Sequence, residues 1–334
     1  MAQGPTGDDP CARTGRERRG AVAVKNILVI GGSGFLGSAV VRELARRPAS
    51  DQRKSLWGAD CCFTLPTRRE AGAKHLTVLP TARVLELDVH DPATLARLMA
   101  GQDAVISLVG VLKGGEGDPY GKGFARAHVE LPQKIAAAAK AAGVRRVLHV
   151  SALKAAADAP SGYLRSKAFG EAALQAAGLD LTIFRPSVIF GRGDSFLTLF
   201  ARMARIAPFF PLAGASARFQ PVWVEDVAAT VADSLANSQS IGAIYELCGP
   251  KQYALAELVR YASAVAGHPR AVIGLPEAIA WLQAWAMEFI PNGPMTRDNV
   301  RSMRVPSVCE SGCGLPFGRV ATALEVIAPT YLRA

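Results

Sequence analysis

The chain has 334 residues, 50% of them apolar, enough to bury one large core or a nucleotide-binding domain with a smaller lobe, without disulfide or metal staples. No run reaches the ~20 uninterrupted apolar residues of a membrane-spanning helix, and the N-terminus lacks the apolar centre of a secretory signal; the expected location is the cytoplasm, or an organelle matrix in a eukaryote. The net charge of +10 is spread among acidic residues instead of forming one basic block, which argues against nucleic acid as a partner and for solvated faces around an anionic cofactor.

Residues 1–24 are rich in Gly, Pro, Asp and Arg, carry no hydrophobic periodicity and read as a disordered tail; Asp8 and Asp9 speak against a transit peptide. From Lys25 onward short β-branched runs alternate with alanine-rich helical stretches, the pattern of βαβ units. The expected fold class is α/β: a Rossmann-type doubly wound parallel sheet over residues 25–190, with a smaller C-terminal lobe for substrate or docking over 191–334. Strands are predicted at 26–30, 61–65, 83–87, 104–109, 146–150 and 181–184. Helices are predicted at 36–47, 92–99 and 132–142, the second capped by Asp91 and the last closed by Gly143. After Gly191 an apolar helix is expected at 196–206, and residues 221–250 read as a return to the sheet, so the two lobes interleave in sequence. Cys11, Cys61, Cys62, Cys248, Cys309 and Cys313 follow no paired zinc spacing and read as free thiols, with Cys309 and Cys313 the one pair spaced for a bridge or a metal; no metal site is expected.

The turn Gly31-Gly32-Ser33-Gly34-Phe35-Leu36-Gly37 sits directly between the first strand and the first helix, the context in which a glycine pattern gains meaning. The first glycine permits the sharp turn, the second lets backbone N–H groups approach a diphosphate, and the third lets helix and strand pack closely. The end of the second strand selects the cofactor, because an acid there holds the ribose hydroxyls of NAD and an arginine accommodates the extra phosphate of NADP. Here that end reads Pro66-Thr67-Arg68-Arg69, which favours NADP(H) and leaves NAD(H) as the alternative. Asp51, at the spacing where an NAD-type acid is expected, lies in an extended connection and is assigned to the surface; Asp88 is expected beside the adenine or as a loop cap.

Tyr163 and Lys167 stand at i and i+4, one helical turn apart on the same face, where the ammonium is expected to lower the phenol pKa toward a usable acid or base. Ser151 ends a predicted strand, and the carboxyl ends of strands face the ligand crevice of an open α/β sheet.

These residues resemble the short-chain dehydrogenase/reductase superfamily in its extended or atypical branch, over nearly the whole chain after residue 25. Arg185-Pro186-Ser187-Val188-Ile189-Phe190-Gly191 is similar to the superfamily's strand-loop against the nicotinamide carboxamide, and Trp223-Val224-Glu225-Asp226-Val227-Ala228 resembles its return segment. Through His149-Val150-Ser151-Ala152-Leu153 and residues 163–171, 189–197 and 295–300, the chain is similar within it to the family of subunit nine of the respiratory complex I alpha subcomplex and its bacterial relatives. The resemblance implies a triad of Ser151, Tyr163 and Lys167. It implies a diphosphate held at Gly31, Ser33, Gly34, Phe35, Leu36 and Gly37, and a 2′-phosphate at Arg68 and Arg69. Further cofactor contacts are expected at Thr67, Asp88, Val89, Leu108, Val109, Gly110, Pro186, Ser187 and Val188, together with Tyr163 and Lys167 themselves. The separation of 12 residues between Ser151 and Tyr163 is shorter than in most extended sugar epimerases and speaks against epimerisation.

Two functions follow. One is hydride transfer by an NADP(H)-dependent oxidoreductase to or from a carbonyl, an alcohol or a quinone-like substrate, the apolar segments 196–210 and 279–290 hinting at a greasy one. The other, implied by the complex I likeness, is a module that holds NADPH without turnover and docks peripherally on a respiratory or membrane complex. Trp281, Trp285 and Phe289, at i, i+4 and i+8, would form its docking stripe or else pack on the lobe.

Overall fold

The first strand, β1 (Asn26–Ile30), turns Ile27 and Val29 to one side and Leu28 and Ile30 to the other, and all four are fully buried. A strand apolar on both sides must be covered on both, which is the demand a parallel sheet with two helical layers meets. The computed structural model describes residues 26–46, 61–290, 293, 295–310 and 314–333. The expectations for residues 1–24, Asp51, Cys11 and Cys313 lie outside them.

Six further strands join β1: β2 (Cys62–Thr67), β3 (Ala82–Glu86), β4 (Ala104–Ser107), β5 (Arg146–Val150), β6 (Asp180–Pro186) and β7 (Ile244–Leu247). Their order is β3-β2-β1-β4-β5-β6-β7, every neighbour parallel, with Ile27 opposite both Phe63 and Ala104. This is the doubly wound order whose reversal, between β1 and β4, opens a crevice at the carboxyl ends. The second strand runs two residues past its expected end because β1 pairs with it only as far as Thr64. Beyond that point only β3 is paired, and Pro66 is tolerated.

One layer consists of α1 (Phe35–Arg46) and, from the return segment, α6 (Val224–Ala236); they seal Ile27, Val29, Phe63 and Leu65 beneath Val40, Leu44, Val227 and Val231. The other holds α2 (Pro92–Met99), α3 (Leu131–Ala142) and α4 (Gly162–Gln175), covering Leu28, Ile30 and Val147 with Leu95, Ile135 and Leu174. Asp91 accepts from the Thr94 N–H at 2.8 Å, and Gly143 closes α3 with φ +73°. Ahead of α3, Lys122–Phe124 and a π-helical Ala125–Glu130 continue the same rod, an extension the glycine-containing sequence did not signal.

The C-terminal lobe contains α5 (Leu197–Ala204), α7 (Leu255–Val265), α8 (Glu277–Glu288), α9 (Arg297–Ser302), α10 (Leu324–Ile327) and α11 (Pro329–Leu332). Phe196, Phe200 and Phe210 pack on one another and on Leu255 and Leu258, so the apolar run 196–210 builds the lobe's own core instead of lining a substrate cavity. Among the described residues no helix is long and apolar enough to cross a membrane, and no three His, Cys, Asp or Glu side chains form a metal cluster.

A buried ion pair ties α4 to the sheet: Arg185 on β6 donates to both oxygens of Glu171, at 3.0 and 2.5 Å. Glu171→Ala leaves the half-buried guanidinium uncompensated and is expected to cost about 3 kcal/mol, the lower end for a broken buried pair. Urea denaturation at neutral pH checks this, and a loss below about 1 kcal/mol would show that solvent already screens the pair.

Candidate functional site

At the carboxyl end of β1 the chain turns at Gly31, whose φ of +87° is closed to most L side chains. A Cβ on Gly37 would lie 2.1 Å from the Gly31 carbonyl oxygen and 2.7 Å from the Gly32 Cα, so the first turn of α1 rests directly on the loop. No acidic side chain occupies that first turn, so the positive helix end keeps its attraction for an anion. Ser33 and Thr67 hydroxyls lie 3.2 Å apart, and Thr67 Oγ1 donates to the Arg69 carbonyl, which sets the exposed Arg68 and Arg69 beside the turn.

On the other side of the crevice, β5 ends at Val150 and places Ser151 at its tip. Ser151 is 4% exposed and its Oγ has no hydrogen-bond partner, a buried hydroxyl waiting for a ligand group. Lys167, from α4, crosses beneath: its Nζ donates to the carbonyls of Val150 (3.2 Å) and Val109 (3.4 Å), and a Cβ on Gly110 would sit 3.3 Å from it. Burial brings the Lys167 pKa down to about 8. The glycine turn is open to a diphosphate and the serine to a polar contact, so these residues fit a dinucleotide laid across the strand ends.

Tyr163 stands one turn before Lys167, its ring edge-on to His128 (5.5 Å between centroids) and Phe124 (6.0 Å). Burial pushes its pKa up to about 12, opposite to the lowering expected from the lysine spacing. The reason is geometric: the ammonium is committed to two backbone carbonyls, and desolvation of the phenolate dominates. At neutral pH the Tyr163 phenol is therefore protonated.

The helix bearing Tyr163 is held by a residue far along the chain that sequence reasoning missed. Asp298 on α9, buried, accepts from the N–H groups of Gly162 (2.7 Å) and Tyr163 (3.0 Å), and Ser161 Oγ accepts from the Leu164 N–H. Its only sequence signal is its place inside 295–300. Asp298 and Phe124 also line a cavity of about 220 Å³ that includes Lys113, Gly114 and Thr296.

Two buried histidines flank Lys167. His128 Nε2 accepts from the Val111 N–H (3.0 Å), so its Nδ1 carries the proton and donates to Ser166 Oγ (2.9 Å), which donates to the Tyr163 carbonyl (2.7 Å). Burial and the Lys167 charge push His128 down to about 2 and His149 down to about 3.

The remaining expected residues are scattered around this crevice. Asp88 accepts from the His90 N–H at Oδ1, in the loop-cap role, and its Oδ2 lies 3.6 Å from Arg126. Val89 and Val109 pack on the α2–α3 layer and Leu108 on the α1 layer. Pro186 ends β6; Ser187 donates its N–H to Leu247 and its hydroxyl to the Ser307 carbonyl, and the Val188 carbonyl accepts from the Val222 N–H. Cys61 and Cys248 stand outside any disulfide, but Cys62 and Cys309 are disulfide-bonded, which corrects the reading of Cys62 as a thiol; for Cys309 a bridge was the alternative that its spacing from Cys313 had offered.

An NAD(P)H-binding family model matches residues 31–238. The chain is 33% identical to NADH dehydrogenase (ubiquinone) 1 alpha subcomplex subunit 9, mitochondrial, of Rattus norvegicus, over 74% of this chain and 63% of that protein, so it spans less than two thirds of that relative's length. It is 30% identical to a ceramide reductase of Caulobacter vibrioides, over 81% of this chain and 80% of that protein. Its fold is similar to that of an NADPH-dependent quinone oxidoreductase of Escherichia coli solved with NADPH, with a TM-score of 0.70 at 21% identity, covering 92% of this chain and 100% of that one.

Two outcomes follow from the geometry. Gly37→Ala must displace the turn or the helix, and is expected to cost about 1–3 kcal/mol and to abolish nucleotide binding, read by thermal melting with and without NADPH. Acid titration tests the histidines: with folded pKa values below the ordinary histidine value of 6.5, each contributes stability that is present above that pH and lost as pH falls toward about 3. His149→Gln should lower the acid-limb slope by about 1.4 kcal/mol per pH unit, one proton's worth; an unchanged slope would contradict a neutral buried His149.

Proposed function

The chain belongs to the NAD(P)H-binding family, and we propose that it acts there as an NADP(H)-dependent oxidoreductase of the short-chain dehydrogenase type, working on a carbonyl, an alcohol or a quinone-like apolar substrate. The observation that supports this reading is Lys167, one helical turn after Tyr163, donating to the Val150 carbonyl next to the unpartnered Ser151 hydroxyl at the end of β5, in the same parallel sheet whose β1 ends at the glycine turn. The bound dinucleotide would supply or accept the hydride. Ser151 Oγ would orient the substrate oxygen, and Tyr163 Oη, protonated at neutral pH, would pass its proton to that oxygen in the reductive direction. Lys167 would hold the ribose and stabilise the phenolate left behind. Arg68 and Arg69 would pair with the 2′-phosphate, which supports NADP(H) over NAD(H). Similarity to a ceramide reductase supports a lipid-like substrate.

A second reading is a non-catalytic NADPH-holding accessory module of a complex I-like system, supported by the likeness to the respiratory subunit. It is favoured by α8, where Trp285 (46% exposed) and Phe289 (72%) form an edge-to-face pair on the surface, while Trp281 turns inward under the guanidiniums of Arg297 and Arg301. Under this reading the chain is peripheral to the membrane.

Tyr163→Phe separates the two. The enzyme reading expects NADPH affinity within about twofold of the parent and a fall in kcat of about 10²–10⁴ with aldehyde, ketone, ceramide-type or quinone substrates. NADPH binding with no turnover of any substrate by the parent protein would overturn it. Arg68→Ala with Arg69→Ala should weaken NADPH at least about tenfold more than NADH, as loss of charge-assisted phosphate contacts requires; equal losses would refute the cofactor assignment.

A further inference from the structure

We propose that the groove between α1, the start of α6 and the C-terminal helices is a second binding site, for a phosphomonoester carried on an apolar body. A cavity of about 340 Å³ lies there, within the size range of small-molecule sites. Three guanidiniums line it, those of Arg42, Arg46 and Arg192, against the single carboxylate of Glu225.

The charges are not mutually satisfied. Arg42 reaches Glu225 only at 3.9 Å. Among the described residues Arg46 makes no ion pair, and the one hydrogen bond of Arg192 is to the Thr330 carbonyl at 3.3 Å. Asp194, two residues beyond Arg192, is fully engaged: it accepts from the N–H groups of Gly191, Phe196 and Thr198 and from the Tyr331 hydroxyl at 2.8 Å. That network fixes the loop carrying Arg192 to the helix carrying Tyr331, so two walls of the cavity are built features.

Guanidiniums present a planar fork that matches phosphate oxygens, and a concave, partly apolar site strengthens their field. A dianion answers Arg46 and Arg192, which make no ion pair with an acid among the described residues. Beside Thr330 and Tyr331, the lining includes Phe35, Trp223, Val224 and Ile327, whose apolar surface suits the body of the ligand.

This site is separate from the dinucleotide crevice. Arg42 and Arg46 share one face of α1 with Phe35 but lie seven and eleven residues further on, about 10 and 16 Å along the helix from the end that faces the glycine turn. Phe35 itself closes the boundary, its ring packed against Gly191. The groove therefore sits behind the nucleotide, not within its place.

Titration of n-hexyl phosphate into the full-length protein, with and without saturating NADPH, tests the proposal through calorimetry and Trp223 fluorescence. The expected result is saturable binding in both states, with a fluorescence change lost in Trp223→Phe. Inorganic phosphate should bind at least tenfold more weakly and hexanol not at all. Arg46→Gln with Arg192→Gln, both exposed, should weaken hexyl phosphate at least tenfold and leave NADPH affinity unchanged. No saturable binding, equal binding by the double variant, equal binding of inorganic phosphate, or displacement of hexyl phosphate by NADPH would each overturn it.

Discussion

The close contact between α1 and the end of β1 is the constraint from which the rest proceeds. With the Gly37 Cα against the Gly31 carbonyl, helix and strand meet without a side chain between them. That contact aims the helix N-terminus at the crevice, and it seats α1 low enough on the sheet for Val40 and Leu44 to reach Val29 and Phe63. One backbone approach thus serves the core and the anion site together. A larger residue at either glycine would trade one against the other.

On the far side of the crevice the governing term is desolvation. Lys167 is a buried cation held by two carbonyls, and its neighbours His128 and His149 stay neutral because a second or third charge in that space would cost too much. The same burial keeps the Tyr163 proton in place. The site is organised as a fixed donor with a cation one turn away, and the cap from Asp298 makes its geometry depend on the C-terminal lobe. Whatever binds in the cavity beside Asp298 therefore touches the support of the proton donor.

Much of this was legible in the linear sequence, for physical reasons that differ by element. Apolar runs such as residues 26–30 and 146–150 mark strands covered on both faces, and the glycine turn marks the crevice because each glycine answers a separate steric demand. Within residues 221–250, α6 packs in the same layer as α1 and β7 pairs with β6 at the sheet edge. What stayed hidden depends on the third dimension. The sign of the Tyr163 shift needs burial, the role of Asp298 needs the packing of α9 on α4, and the bridged state of Cys62 follows from no spacing in the sequence. The apolar run 196–210 misled because phenylalanines at helical spacing fill a lobe core as readily as they line a pocket.

The central claim is that a dinucleotide lies across the strand ends with its diphosphate on the amides at the start of α1. A crystal structure of the protein grown with NADPH tests it most directly. The account predicts density for the diphosphate over Gly34, Phe35 and Leu36, the 2′-phosphate at Arg68 and Arg69, and the nicotinamide ring within reach of Tyr163 and Ser151. A nucleotide bound elsewhere, or a crevice left closed at saturating NADPH, would contradict it.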